Sequence, residues 1–290
     1  MSEDPFVAHR SLLFTVAYEL LGSAADAEDV VQETWLRWAG VDPAQVRDPR
    51  PYLVRVVTRQ SLNRLRTLAR RREDYVGEWL PEPLLTSPDV ADDVELAESV
   101  SLAMLTVLET LRPAERAVFV LREVFDLPYD EIAAAVDRSP AAVRQIAHRA
   151  RDHVAARRPR VRVDRSEQRR VVDRFVAALE TGDLQGLMEI LAPDVVLVPD
   201  GGGTAGAARR PIVGADRIAR YLVGGLGKAR RAVTMEPAWL NGAPGLRVEV
   251  DGALAAAVGL VVEGARITRI LGVANPDKLA RLDVEASLTR

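Results

Sequence analysis

The first quarter of the chain shows hydrophobic positions at the spacing of α-helices. In DAEDVVQETWLRW the apolar residues recur every three or four positions, which predicts a helix with one buried side and one acidic side. Ser23 and, three residues later, Asp26 together resemble a capping box, which predicts where this helix begins. After a proline-interrupted loop, 41–51, a second amphipathic helix is predicted from Tyr52. The buried positions of the first helix are Ala27, Val31, Thr34 and Trp38, and its acidic positions are Asp26, Asp29 and Glu33.

The helical pattern stops between residues 75 and 98. Three prolines within eleven residues cannot continue a helix, so this segment is predicted to be a linker. Trp79, Leu80 and Leu84 make it too apolar for a bare spacer, and we expect it to dock against another part of the molecule. Beyond it, one helix is predicted from Val94 to Leu111, and Pro113 is expected in the first turn of the next.

A helix-turn-helix pattern follows. LPYDEIAAAV predicts a short helix, Asp137 and Arg138 form the turn, and Ser139 with Pro140 gives an N-cap followed by proline at the first helical position. The second helix is sized for a DNA major groove, where arginine and glutamine contact base edges. On local pattern alone, an ordinary helical hairpin is the alternative. The predicted buried stripe is Val143, Ile146, Ala147, Ala150 and Val154, which leaves Arg144, Gln145, His148 and Arg151 outward.

The last part of the chain has a different pattern. Helices are predicted at Ser166–Thr181 and Leu184–Leu191, and from Val195 short apolar runs separated by turn residues predict β-strands. Asp251-Gly252 and Glu263-Gly264 are expected to be hairpin turns between long antiparallel strands. This part is therefore predicted to be an α+β domain.

Charge divides the chain more sharply than its net value of −3 suggests. Residues 55–72 hold seven arginines and no acid, and residues 138–162 hold eight arginines and one acid. Between them, residues 89–98 carry five acids and no base. Two basic patches with an acidic spacer predict two separate nucleic-acid contacts, whereas the alternative is that each patch is a solvated helix face.

Several classes of protein are disfavoured by what the sequence lacks. The chain has no cysteine, which excludes disulfides, thiolate catalysis and cysteine zinc sites. Its start, MSEDPF, does not resemble a signal peptide, and its longest apolar run, residues 253–262, is too short to cross a bilayer. We therefore expect a cytoplasmic protein without a membrane partner.

The glycine-rich stretch PDGGGTAGAARRP, residues 199–211, raises the question of a phosphate or active site. A dinucleotide fingerprint requires a helix directly after its third glycine, but Pro211 follows within five residues, and the lysine of a P-loop is also missing. All three histidines lie outside this domain, and Asp194, Asp200, Glu236 and Glu249 would need burial to transfer protons. A hinge or docking loop is favoured, with no catalytic residue, metal site or cofactor. In it Asp200 is expected to cap a turn or pair with an arginine of the neighbouring domain, and the Asn275-Pro276 turn is expected to present Asp277 and Lys278.

Three stretches resemble, in the same order, an extracytoplasmic-function RNA polymerase sigma factor. DAEDVVQETWLRW is similar to the clamp-binding helix of sigma domain 2, and YLVRVVTRQSLNRLR to its minus-ten element reader. The stretch LRPAERAVFVLREVFDLPYDEIAAAVDRSPAAVRQIAHRAR resembles sigma domain 4, which reads the minus-thirty-five element. The signatures WLPEP, DGGG and NPDKL resemble the sigma-J-like subgroup with a SnoaL-like, NTF2-like tail. The subgroup's loop usually reads DGGGK, but residue 204 is threonine here.

The resemblance implies a multidomain fold: two all-α sigma domains, the second a helix-turn-helix, followed by an α+β, NTF2-like, cone-shaped domain. The expected boundaries are sigma domain 2 at 1–73, a linker with WLPEP at 74–100, sigma domain 4 at 101–158, a short basic linker at 159–165 and the SnoaL-like regulatory domain at 166–290. In this fold the acidic linker is expected to let the two DNA-reading domains reach separate promoter elements.

The resemblance also implies site residues and partners. The expected partners are core RNA polymerase and promoter DNA, while an anti-sigma protein and a small-molecule ligand of the C-terminal pocket are left open. No enzymatic activity is expected. Two alternatives remain at this point: a helix-turn-helix regulator that never joins polymerase, and a DNA-binding module fused to a catalytic or ligand-binding SnoaL-type domain. Expected DNA-binding residues are Arg55, Arg59, Arg64, Arg66, Ser139, Ala142, Arg144, Gln145, His148 and Arg149; polymerase-binding residues are Asp26, Asp29, Gln32 and Glu33; interdomain or regulatory residues are Trp79, Leu80, Pro81, Asp200, Gly201, Gly202, Gly203, Asn275, Pro276, Asp277 and Lys278.

Overall fold

The first helices form an N-terminal helical domain. A computed structural model describes residues 4–42, 45–73, 75–158, 164–203, 208–228 and 232–290. The domain consists of α1 (Pro5–Leu21), α2 (Ala24–Ala39) and α3 (Pro49–Glu73). The Ser23 side chain accepts a hydrogen bond from the Asp26 backbone N–H at 3.2 Å, so the predicted start of α2 is confirmed.

The central helical domain contains the helix-turn-helix. It comprises α4 (Val94–Val100), α5 (Leu102–Leu108), α6 (Pro113–Phe119), a π-helical turn at Val120–Val124, α7 (Tyr129–Val136) and α8 (Pro140–Ala155). The turn between α7 and α8 places Asp137 in the left-handed region at φ 56°, and Ser139 caps α8 as predicted.

The single helix predicted from Val94 to Leu111 is wrong. Ser101 interrupts it with an extended backbone, φ −56° and ψ 143°. Its side chain accepts a hydrogen bond from the Met104 N–H at 3.2 Å and thereby starts α5. A serine within a helical pattern competes for backbone hydrogen bonds in this way, and here the capped break wins over helix continuation.

The C-terminal domain is built on one mixed sheet. Its elements are α9 (Arg165–Thr181), α10 (Leu184–Ile190), β1 (Leu191–Asp200), β2 (Ile212–Val213), α11 (Ala215–Lys228), β3 (Val233–Leu240), β4 (Ala243–Val250), β5 (Ala253–Glu263), β6 (Arg266–Val273) and α12 (Pro276–Leu279). The strand order is β2-β1-β6-β5-β4-β3, with β1 and β6 parallel and the other neighbours antiparallel. The predicted order of two all-α domains and an α+β domain is confirmed.

The two faces of this sheet pack against different parts of the molecule. One face covers α9, α10 and α11 and includes Leu246 and Ile270 in its buried core. The opposite face buries Ala257 and Leu271 against Leu80 of the linker and Leu102 of α5. Since strand side chains alternate between faces, one sheet both closes its own domain and docks on the helical part of the chain.

The two helical domains share one hydrophobic core rather than standing apart. A single buried cluster runs from α1 to α8 and also includes Leu288 near the end of the chain. The Thr289 N–H donates to the Thr15 hydroxyl at 3.1 Å, and the Ala286 N–H donates to the Leu85 carbonyl at 2.8 Å. Residues 286–289 therefore lie as a strap across the N-terminal domain and the linker.

Among the described residues, no helix has both the length and the apolar character needed to cross a bilayer.

The turn between β3 and β4 offers a stability test. Gly242 and Gly252 both have positive φ, at 72° and 78°, where a side chain costs about 1–2 kcal/mol. A Cβ on Gly242 would also lie 2.9 Å from the Ala97 Cα, whereas a Cβ on Gly252 would meet nothing within 4 Å. We predict that Gly242→Ala lowers the free energy of unfolding in urea more than Gly252→Ala does. Equal losses would contradict the close docking of this turn on α4.

Candidate functional site

The exposed face of α8 brings the predicted recognition residues together. Arg144, Gln145, His148 and Arg149 are exposed, while Val143 and the rest of the buried stripe face the core, with Ile146 only partly buried. The Arg144 guanidinium lies 5.6 Å from the centre of the Tyr129 ring, which supports it beside the first helix of the motif. At the start of α8, exposed Ser139 accepts a hydrogen bond from the half-buried Ala142 backbone at 3.3 Å.

The arginines of α3 differ in whether they are free to contact DNA. Arg66 is exposed, and the Arg55 guanidinium lies 5.4 Å from the centre of the Tyr52 ring. Arg59 instead reaches the other helical domain, where its Nη2 donates to the Ala134 carbonyl of α7 at 2.8 Å. The predicted minus-ten surface thus touches the helix-turn-helix directly.

Arg64 joins two sets of residues that the sequence analysis treated separately. Its guanidinium lies 2.6 Å from Asp26 Oδ1 and 2.8 Å from Asp29 Oδ2. The Gln60 amide donates to Glu33 at 2.8 Å. Three of the four predicted polymerase-binding residues therefore contact α3 within their own domain, and Arg64, expected on phosphate, contacts two of them.

Two apolar side chains on α2 were missed by the sequence analysis. Trp35 is 46% exposed and Leu36 is 65% exposed, next to the exposed Gln32. The sequence did indicate their exposure, because both residues fall outside the predicted buried stripe of this helix, which ends at Trp38. An aromatic and an aliphatic side chain left in solvent beside polar residues are typical of a protein interface.

The glycine-rich loop begins at a buried ion pair that grips the linker. Asp200 has no exposed surface, and its carboxylate accepts hydrogen bonds from the Tyr75 hydroxyl, the Leu80 N–H at 2.8 Å and Lys278 Nζ at 2.7 Å. Lys278 Nζ also donates to the Leu80 carbonyl at 2.5 Å. We call Tyr75, Trp79, Leu80, Asp200 and Lys278 the linker clamp.

Aromatic rings complete the linker clamp. Lys278 Nζ lies 3.3 Å from the centre of the Trp79 ring and 5.0 Å from that of Tyr75. Burial raises the pKa of Tyr75, and its hydrogen bond to Asp200 acts in the same direction, so the phenol stays protonated and donates. The Asn275 amide in turn donates to the Tyr75 hydroxyl at 2.9 Å.

Two details of the sequence interpretation need correction. Asp200 was expected to cap a turn or pair with an arginine of a neighbouring domain, but its partner is Lys278 of its own domain. The Asn275-Pro276 turn was expected to present both Asp277 and Lys278. Asn275 instead caps α12, with Pro276 in the first turn, so that Asp277 is exposed and Lys278 is buried.

The glycines of this loop allow close approach of the backbone. Gly202 has φ 57°, and a Cβ there would lie 2.6 Å from the Asn275 side chain. Gly203 has φ 80°, and its Cβ would lie 3.5 Å from Val76 of the linker. Gly201 is buried next to Asp200. The loop therefore packs against the linker, while Thr204 lies outside the described residues.

The linker also caps a helix of the N-terminal domain. Glu82 Oε2 accepts hydrogen bonds from the Ala24 N–H at 2.8 Å and the Ser23 hydroxyl at 3.1 Å. A carboxylate at a helix N-terminus is stabilised by the free N–H groups there. Burial nevertheless raises the pKa of Glu82. Its neighbour Pro81 is buried beside Gly22 at the end of α1.

Asn241 of the β3–β4 turn connects all parts of the molecule. Its side chain donates to the Tyr18 hydroxyl at 2.6 Å and the Val100 carbonyl at 2.9 Å, and accepts from the Leu84 N–H at 2.9 Å. The residue is fully buried and has φ 53°. One amide thus joins α1, the linker and α4 to the C-terminal sheet.

Glu19 is a second buried junction. Burial raises its pKa to about 8, against an opposing hydrogen bond from Ser99 at 2.8 Å. Arg116 of α6 donates to the Glu19 backbone carbonyl at 2.7 Å and pairs with Glu109 at 2.8 Å. The carboxyl is therefore mostly protonated at neutral pH, which lowers the cost of burying it between the two helical domains.

The other candidate proton-transfer groups do not form a site. Asp194 and Glu236 are exposed, and Glu249 is half-buried beside Arg247, whose Nη2 lies 3.6 Å away. Within the ranges covered by the structure, no group of three or more histidine, cysteine or acidic residues could hold a metal ion.

Comparisons with known proteins agree with this arrangement. Residues 6–71 match the family model "Sigma-70 region 2", and residues 101–154 match "Sigma-70, region 4". The ECF RNA polymerase sigma factor SigJ of Mycobacterium tuberculosis is 39% identical, over 96% of this chain and 93% of that protein. The probable ECF sigma factor SigI of the same species is 34% identical, over 96% and 94%. The crystal structure of M. tuberculosis SigJ superposes with a TM-score of 0.75 at 37% identity, over 95% of this chain and 97% of that one.

The exposed face of α8 leads to a test of base reading. We predict that Arg144→Ala removes about 1–3 kcal/mol of discrimination at one base pair of the upstream element, as expected for a direct contact to a base edge. Arg151→Ala is the matched control, because Arg151 lies on the same helix but faces Glu123 at 3.7 Å. The measurement is selection of promoters from a random duplex library by the complex with core polymerase. Identical preferences for Arg144→Ala and the parent would refute this role.

Proposed function

This chain belongs to the extracytoplasmic-function family of RNA polymerase sigma factors, and from that premise we propose that its C-terminal domain regulates initiation in cis by holding the two sigma domains together. Sigma factor function itself follows from membership, since the similarity to other members covers nearly the whole chain. The proposal concerns what each surface does and how the closed form opens. We call the structure described here, in which the two sigma domains share one core, the closed form. It replaces the alternative of a helix-turn-helix regulator that never joins polymerase.

The proposed polymerase contact is the exposed side of α2. Gln32 and Glu33 are exposed there beside Trp35 and Leu36, so the surface combines polar and apolar contact area. Asp26 and Asp29 contribute negative charge, which Arg64 partly neutralises in the closed form. Release of Arg64 towards DNA phosphate would leave these acids facing polymerase.

The proposed promoter contacts lie on α3 and α8. Arg55, Arg59, Arg64 and Arg66 supply phosphate contacts for the minus-ten region, which give affinity rather than sequence preference. The minus-thirty-five element is read by Arg144, Gln145, His148 and Arg149. The start of α8 positions Ser139 and Ala142 against the DNA backbone. The proposed domain limits are 1–73 and 101–158 for the sigma domains and 166–290 for the regulatory domain; of the connecting segment 159–165, residues 159–163 lie outside the described ranges.

The closed form cannot read both elements at once. The minus-ten and minus-thirty-five elements are centred about 25 base pairs apart, or roughly 85 Å at about 3.4 Å per base pair. In the structure Arg59 Nη2 of α3 lies 2.8 Å from the Ala134 carbonyl oxygen of α7, and the two sigma domains share a core. Engagement of a promoter therefore requires the sigma domains to separate.

The linker clamp is the observation that carries the proposal. The chain between the sigma domains is held by Asp200 at the Leu80 N–H, by Lys278 at the Leu80 carbonyl, and further along by Asn241 at Leu84. Separation of the domains must pull this segment off the sheet. Because the inhibitory contact lies within the chain, no separate anti-sigma protein is required by this proposal.

Asp200→Asn tests cis regulation. The substitution keeps the shape but removes the carboxylate charge that pairs with the buried Lys278, and breaking a buried ion pair typically costs about 3–5 kcal/mol. Because this cost falls on the closed form and every 1.4 kcal/mol changes an equilibrium about tenfold, we predict that at least about tenfold less protein is needed for half-maximal in vitro transcription with core polymerase. Asp277→Asn, which removes the same charge at an exposed position of the adjacent turn, should match the parent.

A second variant separates regulation from misfolding. Tyr75→Phe removes only the hydroxyl that contacts Asp200 and Asn275, and should shift transcription in the same direction as Asp200→Asn by a smaller amount. Unchanged helical circular dichroism shows that each variant is folded. If both folded variants transcribe like the parent, the C-terminal domain does not restrain initiation through this contact.

A further inference from the structure

The C-terminal domain contains a cavity that shares only Asp200 with the linker clamp and no residue with the proposed promoter contacts. It has a volume of about 340 Å³ and lies between the sheet and the helices α9 and α11. Leu246 and Ile270 line it, whereas Leu271, the next residue after Ile270, points to the opposite face that docks on the linker. The cavity and the interdomain contact thus occupy opposite faces of one sheet.

The wall of the cavity is almost entirely apolar. It is formed by side chains such as Phe175, Leu197, Leu246 and Val258. Among the described lining residues, Asp200 is the only one with an acidic or basic side chain, and its carboxylate already accepts three hydrogen bonds from Tyr75, Leu80 and Lys278. A charged occupant would lose hydration without gaining a partner, so the chemistry favours a neutral one.

Small residues keep this space open. A Cβ added to Gly225 on α11 would meet nothing within 4 Å, and one added to Gly272 on β6 would meet only Leu197 Cδ1 at 4.0 Å. Ala256 on β5 also lines the cavity. At both glycine positions a Cβ would therefore fit without a clash. Domains lose stability when apolar space of this size stays empty, which an apolar occupant would offset.

An entrance lies beside α11. Tyr221 lines the cavity and is 39% exposed, and exposed Gly225 lies one turn further along the same helix. A small molecule can therefore reach the cavity without unfolding the domain. Its volume is at the lower end of the range for ligand pockets, roughly 300–1,000 Å³.

We propose that this cavity binds one small, neutral, predominantly apolar molecule. The inference does not depend on cis regulation, because the cavity lies on the inner face of the sheet and shares only Asp200 with the linker clamp. The opposite end of the cavity is nevertheless close to the clamp, since Pro199 and Asp200 line it together with Ala274, whose N–H donates to the Asp200 carbonyl at 2.7 Å.

The test uses the neutral fluorescent probe N-phenyl-1-naphthylamine with the full-length chain. We expect saturable, blue-shifted fluorescence with one probe per chain. Gly225→Phe should fill the cavity at its entrance and weaken the probe's affinity at least tenfold. Gly224→Phe is the matched control, because Gly224 neighbours it on α11, has equally open space around its Cβ and does not line the cavity; its affinity should stay within twofold of the parent.

A second variant and a second probe complete the design. Gly272→Leu fills the cavity from the sheet and should also weaken the neutral probe at least tenfold, which guards against a local effect on α11. The anionic probe 1-anilinonaphthalene-8-sulfonate should bind more weakly than the neutral one. The proposal is overturned by absence of saturable binding, by equal affinities of the Gly224→Phe and Gly225→Phe chains, or by tighter binding of the anionic probe.

Discussion

A buried ion pair that holds the backbone N–H and carbonyl of Leu80 in the linker determines the arrangement of the whole molecule. Asp200 is completely removed from solvent, and such a carboxylate is tolerated only if its hydrogen-bonding capacity is satisfied. Two of its donors, the Tyr75 hydroxyl and the Leu80 N–H, come from the linker. If the linker moves away, the ion pair of Asp200 and Lys278 loses two hydrogen-bond donors and also the residues that shield it from water. The charge that stabilises the C-terminal domain therefore also ties it to the sigma domains.

The remaining interdomain contacts reinforce this constraint. Asn241 bonds to three different segments, Glu82 caps α2, and protonated Glu19 is buried between α1 and the central domain. Each of these groups would have to find water or a new partner on opening. Buried polar networks of this kind favour a single arrangement over many similar ones. Under the proposed opening, polymerase and promoter together would supply the binding free energy that replaces these bonds.

Local elements were predictable from the sequence to the extent that local interactions decide them. The caps at Ser23 and Ser139 and the turn at Asp251 were read directly, because a side chain and a backbone group a few residues apart settle them. The break at Ser101 was missed, although serine is a capping residue, since the apolar spacing around it continued. Contacts between distant segments were harder to foresee. Docking of the linker was anticipated from its apolar residues, and docking of the DGGG loop from its failure to match a phosphate or active site. Nothing local could show that Lys278 points inward or that Asn241 contacts Tyr18.

The most direct test of the central claim is the separation of the two sigma domains. The chain has no cysteine, so two introduced cysteines would be its sole labelling sites. We choose Thr67→Cys on α3 and Ala156→Cys at the end of α8, because both positions are exposed. Energy transfer between them should be high in the free protein, and lower when the same labelled chain carries Asp200→Asn or joins core polymerase. Transfer that stays equally high in the Asp200→Asn chain, with its fold intact, would contradict the claim that this ion pair keeps the sigma domains together.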